Sequence, residues 1–172
     1  MQFAYTEEQE ALRESLRRFV DERAPLTATR AAMATERGWD PDLWASMSGD
    51  LGLPAMCIPE ELGGFGFGML ELSVVQEELG RTLVCSPLFA TACMAVPALL
   101  AAQTSVQERW LGGIAGGEVT ASVAVVERAG RWAEGDVSAT ALADGDGFLI
   151  DGHKSFVVDG HTADLLLVAA RC

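Results

Sequence analysis

The 172-residue sequence predicts an α+β protein: an N-terminal all-α helical bundle over residues 1–117, then a partial antiparallel β-domain over residues 118–172. Three observations carry that prediction. Up to Gly117, apolar residues recur at three- and four-residue spacing behind recognisable helix starts. From Glu118 the period switches to short β-type runs separated by Asp-Gly pairs. The composition is globular, 49% hydrophobic against 22% charged, and a chain of this length can bury a real core.

The first helix starts at Thr6. Thr6 and Gln9 form a T-x-x-Q capping box, and Glu7, Glu8 and Glu10 sit at the positive end of the helix dipole. Leu12, Leu16, Phe19 and Val20 make one stripe, Arg13, Arg17 and Arg18 lie off it, and Pro25 stops the helix. Thr27–Arg37 reads as a second helix ending at Gly38. Asp40-Pro41 is an N-cap with proline at the first helical position, so a third helix runs to about Ser48 with Leu43, Trp44 and Met47 inward. Gly49, Gly52 and Pro54 prevent the helix from continuing, and Leu53–Pro59 is expected to be extended.

Four glycines then crowd together in the stretch GGFGFG, at 63, 64, 66 and 68, describing a loop shaped by backbone rather than side chains. Met69, Leu72, Val75, Gln76 and Leu79 continue at helical spacing, with Gly80 at the expected C′ position. Such a loop feeding a buried helix is either a wall of a ligand pocket or a tight structural turn. Ser86-Pro87 opens a long apolar helix, Leu88–Ala102, which Pro97 should kink. Thr104 and Gln107 repeat the T-x-x-Q cap before Trp110 and Leu111. About six helices is the pattern of a bundle.

The second half reads as a meander: strands at Val119–Val126, Ser138–Leu142, Phe148–Ile150, Lys154–Val158 and Leu165–Ala170. Ala129–Asp136 reads as a loop, Asp144-Gly145-Asp146-Gly147 as a hairpin turn, and Asp151-Gly152 and Asp159-Gly160 as further turns. No closing element comes after them, so the open edge needs cover from another chain or from more of a longer protein.

A net charge of −13 makes nucleic acid an unexpected partner. Cys57, Cys85, Cys93 and Cys172 form no CxxC pair and there are two histidines, which disfavours zinc. Nothing argues for disulfides, so a reducing cytoplasm is the expected setting. Met1–Glu10 is polar and acidic, unlike a signal peptide, and no apolar run reaches membrane-spanning length.

Specific stretches resemble the acyl-CoA dehydrogenase family. FAYTEEQEALRESLRRFV is similar to its opening helix. LWASMSGDLGLPAMCIPEELGGFGFG resembles its W-x-x-L-x-x-x-G-L…P-E-x-x-G-G-x-G segment, with Met47 at the leucine and one extra residue before Gly52. DGDGFLIDGHKSFVVDGHTADLLLVAAR resembles its G-x-x-L-N-G-x-K-x-W-I-T-N-G-x-x-A-D stretch. The resemblance implies FAD, an acyl-CoA substrate lodged between helices, strands and flavin, an electron-transfer flavoprotein as acceptor, and an oligomer. It implies flavin contacts at Ala124, Val125 and Val126 and at Phe156, Val157 and Val158.

The departures bear on those contacts. The family's flavin loop, roughly A-x-T-E-P-x-x-G-S-D, here reads AVVER without a subsequent G-S-D: Val126 stands at the threonine, Arg128 at the proline, and Trp132 near the serine. Phe156 replaces tryptophan and Val158 replaces threonine. The valines offer no hydroxyl, leaving backbone N–H and C=O groups for the ring; Phe156 can stack, or it and Val158 simply pack as strand residues. The family's catalytic carboxylate comes from a C-terminal helical domain absent from this chain, so no catalytic residue is assigned and the chain alone is expected to be inactive. Glu60, Glu61, Glu77 and Glu78 are not credible substitutes, and His153 and His161 are expected to face solvent. Three functions remain open: the N-terminal portion of such an enzyme, a degenerate structural subunit of a hetero-oligomer, and a non-enzymatic helical interaction module.

Overall fold

A computed structural model describes residues 4–128 and 130–172. Met1–Phe3, at the start of the expected helical domain, and Ala129, in the expected loop after the first strand, lie outside the described residues. The helices are α1 (Glu7–Arg23), α2 (Leu26–Met33), α3 (Pro41–Gly49), α4 (Met69–Arg81), α5 (Val96–Leu100) and α6 (Thr104–Ala115). The strands are β1 (Ala121–Ala124), β2 (Thr140–Asp144), β3 (Gly147–Asp151) and β4 (Leu165–Val168). The α+β class is the one expected.

The capping box of α1 forms as read: Thr6 Oγ1 accepts from the Gln9 N–H at 3.3 Å and the Thr6 N–H donates to Gln9 at 3.0 Å. Leu16 and Val20 of α1 pack with Leu72, Val75 and Leu79 of α4 in one core that also takes Trp39, Trp44 and Met47. Asp40 caps α3 by accepting from the Asp42 N–H at 2.9 Å. A second core joins α5 and α6 to the sheet through Val96, Leu99, Leu111, Ile114 and Ala121.

Several local expectations are corrected. The second helix stops at Met33, because the Thr35 hydroxyl bonds the Ala32 carbonyl and accepts from the Gly38 N–H, closing a turn. Leu53–Pro59 is not extended: Gly52 takes φ 60° and Leu53–Ala55 is one turn of 3₁₀ helix. Met69 is 57% exposed, outside the buried stripe of α4. Gly80 lies inside α4, which runs to Arg81, held to Asp21 and Glu78 by ion pairs; the positive φ falls on Leu83 instead. Phe89–Ala95 is π-helical and passes into α5, which places Pro97 at the start of an α segment, where its missing N–H is tolerated. The second T-x-x-Q does not cap: Thr104 is already helical, and the Gln107 amide reaches back to the Leu100 and Ala102 carbonyls.

The largest correction concerns the sheet. β2 and β3 form the expected antiparallel hairpin, with Gly145 at φ 58° in its turn. β1 and β4, however, pair parallel, Ala121 opposite Leu165 through Ala124 opposite Val168. Lys154–Val158 is not a strand. Phe156 takes φ 55°, a left-handed conformation that interrupts an extended run. This stretch runs back along β1, with Ser155 bonded to Val126 and Val158 to Ser122, and Asp164 and Leu165 bond Thr120 at the start of β1, so β4 runs in the same direction as β1. The run of β4, LLLV, is apolar throughout, although Leu166 and Val168 on one face are exposed.

Candidate functional site

The fold brings the two stretches singled out in the sequence together. Leaving β1, Ala124 and Val126 are buried. The Ser155 N–H donates to the Val126 carbonyl at 2.8 Å, and the Ser122 hydroxyl donates to the Val158 carbonyl at 2.5 Å. Residues 122–126 and 155–158 thus run side by side. The carbonyls of this first stretch are already engaged: Ala124 accepts from the Ala169 N–H at 3.1 Å, Val125 from Lys154 Nζ at 3.2 Å, and Val126 from Ser155. The expected use of both N–H and C=O groups therefore narrows. Among the described residues, no protein acceptor meets the N–H groups of Val125, Val126, Phe156, Val157 or Val158. Phe156 is 83% exposed, so it does not pack as a buried strand residue, and Val158 is 39% exposed.

A charged cluster that spacing did not reveal braces this junction. Glu127 is buried, and its carboxylate accepts from Lys154 Nζ at 2.9 Å, from the N–H groups of Ser138 and Ala139 at 3.0 and 2.8 Å, and from the Ser138 hydroxyl. The Ser138 hydroxyl, then Lys154, hold the Glu127 carboxyl down to about 2. Glu127 and Lys154 are 27 positions apart, so only the folded chain pairs them. Two threonines, also missed, lock the sheet to its neighbours. Thr91 Oγ1 donates to the Ala121 carbonyl and accepts from the Ala121 N–H, while Thr120 meets Asp164 through both its N–H and its hydroxyl.

The glycine loop is built from backbone, as read. The Phe65 and Phe67 N–H groups donate to the Ala55 and Met56 carbonyls, and a Cβ at Gly64 would sit 1.9 Å from the Ile58 carbonyl oxygen. Phe65 and Phe67 are half exposed beside Glu60 on a shallow, open cleft of about 660 Å³, so the loop is both a tight turn and an apolar surface. The four acids singled out in the sequence have other occupations. Glu78 is buried under Arg13, Arg17 and Arg81, and the Arg17 hydrogen bond holds its carboxyl low. Glu77 accepts from the Tyr5 hydroxyl, and Glu60 and Glu61 are exposed. His153 and His161 are exposed, as expected.

Residues 6–118 match the family model for the acyl-CoA dehydrogenase N-terminal domain. The chain belongs to the acyl-CoA dehydrogenase family. Among its relatives, the acyl-CoA dehydrogenase IpdE2 of Mycobacterium tuberculosis is 43% identical over 101 residues, 59% of this chain and 32% of that protein. The (2S)-methylsuccinyl-CoA dehydrogenase of Cereibacter sphaeroides is 29% identical over 96% of this chain and 30% of its own length. Among solved structures, the ChsE4–ChsE5 complex from Mycobacterium tuberculosis superposes with a TM-score of 0.86 at 29% identity, over 99% of this chain and 45% of that one. The chain thus spans about a third of the length of those curated relatives.

Membership in the acyl-CoA dehydrogenase family implies FAD, and the junction fits one edge of a flavin. It offers N–H donors that meet no protein acceptor among the described residues and an exposed aromatic ring at Phe156, which suit the oxygens, nitrogens and face of an isoalloxazine. It offers no side-chain hydroxyl at Val126 or Val158. No helix among the described residues is long and apolar enough to cross a membrane.

Proposed function

We propose that this chain is the N-terminal portion of a flavin-dependent acyl-CoA dehydrogenase that carries out α,β-dehydrogenation of an acyl-CoA thioester in lipid catabolism. Residues 1–117 serve as its helical domain and residues 118–172 begin its middle β-domain. The observation that carries the reading is the junction itself: two stretches distant in sequence, each with unpartnered backbone donors, set beside each other on a family scaffold. Bound FAD supplies the hydride acceptor for the β-carbon. The N–H groups of Val125, Val126, Phe156, Val157 and Val158 hold and orient it, and the Phe156 ring covers part of it. The half-exposed Phe65 and Phe67 supply apolar wall for the acyl portion.

No catalytic base is assigned among the described residues; the family resemblance gives that role to a carboxylate of a C-terminal helical domain. An electron-transfer flavoprotein takes the electrons onward, and the setting is cytoplasmic. The 172 residues alone bind FAD weakly or not at all, because they supply one side of the site. The test is flavin content of the protein isolated from its own cells with any chain that accompanies it. One FAD per chain supports the reading, and a colourless preparation with no flavin in any form sinks it.

One observation favours a second reading, a non-catalytic subunit that completes a partner's site. Val126 and Val158 stand where the family has hydroxyl residues, and the G-S-D segment is missing. One FAD per pair of unlike chains selects this reading over the first.

A further inference from the structure

We infer that the Glu127–Lys154 pair is a positioning clamp that sets the spacing of the two flavin-facing stretches; this deepens the flavin reading and rests on it. Lys154 comes from the second stretch, yet its ammonium reaches the Val125 carbonyl of the first at 3.2 Å and the Glu127 carboxylate at 2.9 Å. Both side chains are about nine-tenths buried. Glu127 in turn gathers Ser138 and Ala139 at the base of the β2–β3 hairpin. One ion pair therefore ties together three segments that share no strand ladder with each other: the exit of β1, the returning stretch 153–158 and the start of the hairpin.

The placement matters because little else holds the returning stretch. It has no strand pairing, and its backbone meets β1 and the β1 exit at two points, Ser155 to Val126 and Ser122 to Val158. Phe156 keeps a left-handed backbone there with its ring in solvent, a conformation that persists only where the surroundings fix it. Removing either charge leaves the other buried without its partner, which favours local opening over the closed junction. Glu127 and Lys154 are assigned no contact with flavin or substrate; they act through the backbone of Val125, Val126 and Phe156.

The test uses amide NMR on the 172-residue chain, with and without millimolar FAD, for the wild type, Glu127→Gln, Lys154→Met and Lys154→Arg. The reporter of the clamp is the Ser155 amide, whose hydrogen bond to Val126 joins the two stretches. Its hydrogen exchange is expected to quicken by roughly tenfold in Glu127→Gln and Lys154→Met, while amides of α1 and α4 stay unchanged and Lys154→Arg restores most of the protection. Unchanged Ser155 exchange overturns the clamp. So does equal loss of protection in α1 and α4, which marks general destabilisation. FAD is expected to shift the Val126 and Val158 amides in the wild type and Lys154→Arg but not in Lys154→Met. If FAD shifts nothing in the wild type, these residues alone do not hold flavin, and the Ser155 result still decides the clamp.

Discussion

Leu111 on α6 is fully buried, whereas Leu149 on β3 is 62% exposed, although each is a leucine inside a regular element. The same contrast separates the two halves. In the helical half, α1, α3 and α4 bury a shared core that also holds two tryptophans. In the hairpin, Leu142, Phe148, Leu149 and Ile150 all remain at least half exposed, and its ladder and the base contacts at Ser138, Ala139 and Arg171 are what hold it. β1 belongs with the helices, since Thr91 grips Ala121 and its inner face joins the second core. An isolated two-stranded hairpin is marginal in water. The helical half therefore carries the stability, and the hairpin leaves its apolar side chains exposed.

The sharpest way to break this comparison is to truncate the core. Leu111→Ala is expected to cost roughly 2–5 kcal/mol, read from the denaturation midpoint, because it removes methylenes from a closed cluster. A cost below about 1 kcal/mol means α6 does not contribute to the core. Glu78→Ala comes next, at roughly 1–3 kcal/mol. It removes the acceptor that joins Arg17 of α1 to Arg81 of α4, with hydrogen bonds of 2.6 and 3.2 Å. If Glu78→Ala matches wild type, the arginine cluster is a solvated surface feature.

Acid sharpens the comparison within the strand half. The Glu127 carboxyl is held near 2 against an ordinary 4.5. A depressed carboxyl contributes stability that is present above the unfolded value and lost as pH falls through the folded one. The attachment of the hairpin base is thus complete above about pH 5 and weakens between 4.5 and about 2. Amide shifts of Ser138 and Ala139 should follow that window in wild type; a midpoint near 4.5 contradicts the bonding described. The smallest effect belongs to Leu149→Ala, under about 0.5 kcal/mol for the isolated chain. A loss comparable to that of Leu111→Ala means that something covers the hairpin in solution.

Much of the helical half was legible before folding. The Thr6–Gln9 box, the Asp40-Pro41 start and the Leu16–Val20 stripe each depend on residues within one or two turns, and each formed as read. The failures share a cause. Thr104-x-x-Gln107 has the same pattern as Thr6-x-x-Gln9, but the Leu100 and Ala102 carbonyls competed for the glutamine. Gly80 has the residue type of a helix stop, but Arg81 found Asp21 and Glu78 and extended the helix. At the site, the positions of residues 124–126 and 156–158 came from motif resemblance, not from spacing, and the Glu127–Lys154 pair that braces them left no local mark.

The sequence by itself determined the α+β class, most helix starts and the backbone-built glycine loop, because caps, periodicity and glycine conformation act over a few residues. Only the tertiary structure decided that β4 lies parallel to β1, that Lys154–Val158 runs back along β1 without strand pairing, and that Glu127 closes the junction. Strand direction and buried charge pairing depend on which distant segments meet, and the free energy that selects them is realised only when the chain is folded.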